Sequence, residues 1–213
     1  MPYLVAIILS IFTLTGCQSA YYSAMEKVGY HKREIMVDRV EDAKASQQEA
    51  QKEFTSALQA LSNLTQFNGG ELEEVYKEIN EQYQESEKAA QEVRDRIAAI
   101  EDVAGALFEE WQQELSLYTS AKLRRSSEQK LKETKASYQQ MLKAMKRAEQ
   151  KMTPVLNTLR DNTLYLKHNL NANAVGSLKG ELVSLETEIE QAIKQMKAAI
   201  AESDAFLQKL NQQ

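Results

Sequence analysis

The sequence predicts an all-α fold, an elongated antiparallel up-down-up-down helical bundle or coiled coil of four long helices. Three observations predict it. Charged residues make up 27% of the chain while only seven glycines and two prolines occur, and the abundance of Ala, Glu, Lys, Gln and Leu is the signature of long helices. Apolar or small residues recur at alternating steps of four and three in four separate segments, each over at least about four heptads. Pro2 lies in an apolar N-terminal run, so Pro154 alone can interrupt the remaining helices.

The first seam is Met36, Val40, Ala43, Gln47, Ala50, Phe54, Ala57, Leu61 and Leu64. Ser23-Ala24-Met25-Glu26 reads as a capping box that starts this helix, and Asn68-Gly69-Gly70 ends it with a strong turn signal. The second seam runs from Leu72 through Tyr83, Ala90, Ile97, Ala104 and Trp111 to Tyr118, with Glu114 as its polar exception. The second helix is expected to reach Ser120. Between Thr119 and Ser127 there is neither Gly nor Pro. The seam slips there, and Ser126-Ser127-Glu128-Gln129 offers a capping box, so a turn is favoured over one helix of roughly 100 residues and ~150 Å.

The third seam runs from Leu131 through Tyr138, Met145 and Met152 to Leu166, interrupted by Asn162. Pro154 is expected to kink it, because proline lacks the amide hydrogen and clashes with the preceding turn. Asn169-Leu170-Asn171-Ala172-Asn173, with Gly176 and Gly180, separates it from a fourth seam spanning Leu178 to Leu210. Helices of roughly 40, 50, 45 and 35 residues follow, each ~50–75 Å long. Ala, Ser, Thr and Gln at many seam positions bring helices close but bury modest apolar area, so partner exchange or a homo-oligomer is compatible with the pattern.

The N-terminus carries a different signal. Residues Tyr3 to Leu14 hold no charge, a run within the range of a removable signal and short of the ~20 residues that span a bilayer. Met1-Pro2 lacks the basic residue with which such signals usually begin. Leu14-Thr15-Gly16-Cys17 then matches a lipobox, with cleavage between Gly16 and Cys17. The chain divides into a signal peptide (1–16), a lipidated anchor and linker (17–22) and a helical domain (23–213). Cys17 is the only cysteine, so no disulfide supports the domain. Diacylglycerol and an amide-linked acyl chain such as palmitate on Cys17 make a stable anchor where one chain does not. Gln18 stands where Gram-negative lipoproteins retained in the inner membrane carry Asp. That resemblance implies a periplasm-facing outer-membrane protein.

The same residues exclude several functions. A formal charge of −5 provides no general basic footprint for nucleic acid. The chain has only two histidines, His31 and His168. Neither follows a Glu by three residues, as a di-metal bundle site requires. One cysteine, already committed to lipid, cannot complete a zinc set, and no strand is predicted to carry a hydrolase elbow. No catalytic, metal or cofactor residue is assigned, and no cofactor or enzymatic activity is expected.

From Cys17 onward the chain resembles a proteobacterial helical lipoprotein family known as domain of unknown function 2959. The resemblance rests on Met25-Glu26-Lys27-Val28-Gly29, Lys32-Arg33-Glu34, Val37-Asp38-Arg39-Val40-Glu41-Asp42-Ala43 and Leu123-Arg124-Arg125-Ser126-Ser127-Glu128-Gln129. Two later strings, Arg147 to Val155 and Leu166 to Ala172, complete it. It implies a lipoprotein and brings no activity or cofactor.

Topology then indicates candidate contacts. If helix one leaves a membrane at Cys17, the turn between helices two and three returns to the same end. Lys32, Arg33, Lys122, Arg124 and Arg125 become candidates for anionic headgroups, with Tyr21, Tyr22 and Tyr30 at the interface. The competing reading pairs these cations with Glu26, Glu34 and Asp38. At the far end, Asn68, Asn169 and Asn171 mark a candidate loop for a protein or cell-wall partner, or serve only as helix caps. Trp111 and the Met141, Met145 and Met152 stripe read as core. The expected role is a non-enzymatic, membrane-tethered periplasmic scaffold or adaptor at the outer membrane. The alternative is a lipid-binding or membrane-remodelling helical module.

Overall fold

A computed structural model describes residues 21–22, 24–65, 72–170 and 172–212. The expectations for Gly16, Cys17, Asn68 and Asn171 lie outside these residues. The heptad segments fold as α1 (Lys32–Thr65), α2 (Leu72–Glu114), α3 (Ala121–His168) and α4 (Ala172–Asn211), with a 3₁₀ turn at Leu115–Leu117 after α2. The helices are 34, 43, 48 and 40 residues long.

Seam burial is what holds them together. In α1 every position of the predicted seam, Gln47 included, is buried. In α3 and α4 the seam residues Met141, Met145, Met152, Leu185, Met196 and Phe206 are buried as well. α1 packs against α2 and α4, and α3 packs against the same two helices, closing a four-sided ring. Neighbours are antiparallel. Arg96 of α2 meets Asp42 of α1 at 3.0 Å, and Ser86 Oγ donates to the Glu53 carbonyl. Lys146 of α3 meets Glu101 of α2 at 2.6 Å, Gln140 donates to Glu202 of α4, and Lys44 of α1 meets Asp204 of α4 at 2.6 Å. Each exposed pair is worth only ~0–1 kcal/mol, so these bridges mark the register that seam packing sets.

Four boundaries depart from the sequence expectation. The first helix of the ring begins at Lys32, not Ser23. Residues 24–27 are helical but stop at Gly29, whose φ of +85° suits a residue without a Cβ. Tyr30 N–H donates to the Met25 carbonyl and Gly29 N–H to that of Glu26, the paired bonds of a Schellman cap. The chain then turns into α1, where the Glu34 carboxylate accepts from His31 N–H at 3.0 Å. Second, α2 ends at Glu114 rather than Ser120.

Third, the turn before α3 exists, but Ser120 caps it, accepting from Leu123 N–H. The Ser126 box lies inside the helix. Ser120 wins because its extended backbone, ψ 112°, lets its hydroxyl reach the first orphan amides. Fourth, α4 begins at Ala172, so Gly176 and Gly180 are helical instead of separating two helices. Burial of Val175 and Leu178 on the α4 seam outweighs the ~1 kcal/mol that each glycine costs a helix. α3 likewise runs through Pro154 without a break in its helical span.

Gln47 is the anomaly of the core. It is 0% exposed, and neither its side-chain nitrogen nor its oxygen is hydrogen-bonded among the described residues. A buried unsatisfied polar atom costs ~1–3 kcal/mol. Gln47→Met keeps the shape and removes both atoms, so denaturant unfolding should show a stability gain of ~1–3 kcal/mol. Gly29→Ala should do the opposite locally. An L residue at that φ costs ~1–2 kcal/mol, so hydrogen exchange of residues 21–30 should accelerate roughly five- to thirtyfold while α2 and α3 are unchanged.

Candidate functional site

The end of the bundle where α1 starts gathers most of the candidate contacts. Ending the 3₁₀ turn at Leu117 and starting α3 at Ala121 makes a tight hairpin through Tyr118-Thr119-Ser120. Trp111 Nε1 donates to Ser127 Oγ across it at 2.8 Å. Trp111 is therefore half-buried with a polar partner rather than fully in the core. Gln140 pairs with Glu202 and Tyr138 stacks near Phe206, and this register brings the end of α4 level with about residue 131 of α3. The first turns of α3, about ten residues and ~15 Å, extend past α4 as a two-helix finger with α2.

The α3 side of the finger is basic and apolar together, while its α2 side carries Glu109, Glu110 and Glu114. The first half of α3 carries Lys122, Arg124, Arg125, Lys130, Lys132, Lys135 and Lys143 against only Glu128 and Glu133. Lys122, Arg124 and Arg125 enter no ion pair among the described residues. Beside them Leu117 and Leu123 are 77% and 57% exposed, and Tyr118 is also exposed. Val28, at the Gly29 turn of the same end, is 78% exposed. None of these four was singled out from the sequence as an exposed residue. The available signal was position, since Leu117 and Leu123 flank the polar Tyr118-Thr119-Ser120 turn and have no facing helix.

Of the other predicted members of this cluster, Lys32, Tyr22 and Tyr30 are bonded within the fold. Lys32 is corrected most clearly. Its side chain is only 12% exposed, bonded to Glu26 and, at 3.0 Å, to Glu110. Burial alone lowers its pKa, but the bonds to the two carboxylates outweigh this and hold it above the ordinary lysine value. Arg33 is half-buried at the start of α1. Tyr22 is buried and donates to Asp102, with its pKa raised by burial and by that hydrogen bond, while Tyr30 donates to Asp38. Tyr21 alone of the three tyrosines keeps an exposed ring.

These bonds also redirect the N-terminus. Tyr22 lies beside Asp102 while the hairpin begins at Tyr118, so the described chain starts on the flank of the bundle, ~20–25 Å short of the finger tip at 1.5 Å per residue.

An aromatic cluster clamps the base of the finger. Phe108 of α2 meets Tyr138 of α3 edge-on at 5.4 Å, and Tyr138 meets Phe206 of α4 at 6.4 Å. Lys135 lies 5.6 Å over the Phe108 ring. Three helices are thus joined where the fourth side of the ring opens.

At the opposite end, Asn169 caps α3. Its side-chain nitrogen donates to the Tyr165 carbonyl at 2.9 Å and its backbone N–H to Leu166. Lys167 and His168 in the last turn oppose the helix dipole. Asn169 therefore has a structural task whether or not a partner docks nearby. Among the described residues there is no group of three His, Cys, Asp or Glu arranged to hold a metal ion, and no helix is long and apolar enough to cross a membrane.

With this geometry in place, comparison with known proteins is informative on one point. A family model described as protein of unknown function (DUF2959) matches residues 21–210. The chain belongs to this family. The DUF2959 match covers all four helices and the Gly29 turn, so the fold described above is that of the family region as a whole. No curated protein and no solved structure matches the chain.

Burial, reinforced by the Glu101 carboxylate, pushes Tyr138 up to about 12. A tyrosine whose pKa rises on folding contributes in full below the unfolded value of ~10 and loses that contribution as pH climbs towards the folded one. Tyr138→Phe is expected to show a smaller stability loss than the parent between pH ~10 and ~12, measured by denaturant titration across that range.

Proposed function

We propose that the protein is a non-enzymatic, lipid-anchored scaffold at the periplasmic face of the outer membrane. In this reading Cys17 carries the acyl chains and the helical ring holds an interaction surface away from the lipid. The observation that supports it most directly is the spacing of Leu14-Thr15-Gly16-Cys17 to the bundle: only Gln18-Ser19-Ala20 lie between the lipobox cysteine and Tyr21, the first described residue.

Four Cα steps span at most ~14 Å, less than the ~20–25 Å from the flank to the finger tip. A chain held at Cys17 and touching the bilayer with its tip must therefore incline its long axis over the surface. The partner-facing end is then the one near Asn169, and a protein or cell-wall component is the class of partner proposed for it.

The anchor is tested by Cys17→Ala. Wild type should incorporate labelled palmitate and fractionate with outer membranes, and the variant should lose both. Equal labelling and fractionation of the two proteins would remove the basis of the proposal.

A further inference from the structure

We propose that the α2–α3 finger is itself a docking surface for an anionic lipid bilayer, independent of any acyl chain. The proposal deepens the membrane-tethered reading but does not require Cys17 to be modified.

Three observations meet at the tip. Leu117, Tyr118 and Leu123 are exposed apolar or amphipathic side chains, and they sit where the helical ring has already ended, so no other helix of the ring shields them. Lys122, Arg124 and Arg125 interleave with them and carry no intramolecular ion pair among the described residues. The chain as a whole is acidic, yet residues 115–127 hold Lys122, Arg124 and Arg125 with no Asp or Glu, so the positive tip is a local feature and not the average surface.

An apolar tip ringed by cations matches a bilayer in both chemistries. Leucines and a tyrosine enter the headgroup–acyl boundary, while each Lys or Arg near an anionic leaflet adds attraction that falls off within a Debye length. An acidic protein partner would satisfy the cations, but it would not require leucines at the extreme tip. The clamp of Phe108, Tyr138 and Phe206 at the base lets the finger meet the surface as a rigid element, with no need to open the ring.

The same hairpin explains why the contact was only half visible in the sequence. Lys32 and Arg33 are as basic as Arg124 and Arg125, yet Lys32 is consumed by Glu26 and Glu110. Arg33 is half-buried at the start of α1, whereas Lys122, Arg124 and Arg125 are exposed beside the apolar tip.

The test uses the full chain carrying Cys17→Ser, so that a cysteine at Leu117→Cys is the sole thiol and takes an environment-sensitive fluorophore. Phosphatidylcholine vesicles with and without phosphatidylglycerol are added. The label at 117 should shift to the blue and brighten only with phosphatidylglycerol, and high salt should reverse it. The triple variant Lys122→Gln, Arg124→Gln, Arg125→Gln should weaken the response on the order of a hundredfold in lipid concentration. These three residues are exposed, so circular dichroism should show the helices unchanged.

A label at Val183→Cys, exposed on α4, should not respond. A 117 label that stays in water with phosphatidylglycerol, a triple variant that responds like the parent, or an equal response at 183 would overturn the proposal. Because the readout needs no acyl chain, a protein that passes it yet fails palmitate labelling overturns only the anchor at Cys17.

Discussion

Burial of one side chain every three or four residues along each of four helices is the constraint on which this structure rests. A single long amphipathic helix gains little in water, because its seam remains exposed; four of them close a ring in which each seam faces two neighbours. The surface ion pairs contribute little by comparison. The identity of the seam residues sets the character of the core. Ala43, Ala50, Ala90, Ala148, Ala192 and Ala199 are all buried, which draws the helices together, while Phe54, Phe206 and the methionines fill the wider layers. Gln47, placed among them without a partner, shows that the register tolerates a polar side chain whose position is set by periodicity.

Where the seam runs out, the molecule changes behaviour. α4 ends before α3 begins, so the start of α3 has α2 beside it and no fourth wall. The seam that buries Leu131 continues outward through Ser127, Arg124 and Ser120 by steps of four and three, so it turns polar there and Leu123 falls outside it. An exposed leucine beside unpaired arginines thus follows from its place off the seam, at a helix start that α4 does not reach. The N-terminal segment supplies the second asymmetry. Gly29 reverses it onto the flank, where Tyr22 and Lys32 find Asp102, Glu26 and Glu110. Basic residues that look equivalent along the chain are therefore divided into a set fastened within the fold and a set facing solvent.

Helix periodicity is a local property, and the seam residues of α1, α3 and α4 were legible for that reason. So was the break between α2 and α3, through the slip of one residue in the heptad count. The cap was misread because Ser120 and Ser126 are both competent N-cap residues, and backbone geometry chose the first. Gly176 and Gly180 looked like breakers because propensity is evaluated one residue at a time. Burial of Val175 and Leu178 on the α4 seam overrode it. The Schellman turn at Gly29 had a sequence cue, a glycine closing a short helical run. The tyrosine contacts that hold the segment down had none, since Tyr22 and Asp102 are far apart in the chain.

The amino-acid order by itself determined the all-α class, the four seams, the antiparallel alternation enforced by short connections, and the lipobox pattern at Cys17, because each depends on neighbours within a few residues. Tertiary structure alone decided which cations are free, where the chain leaves the bundle, and how far α3 projects. Those outcomes depend on the relative ends of helices that meet only after folding, and on carboxylates brought to Lys32 and Tyr22 from distant positions.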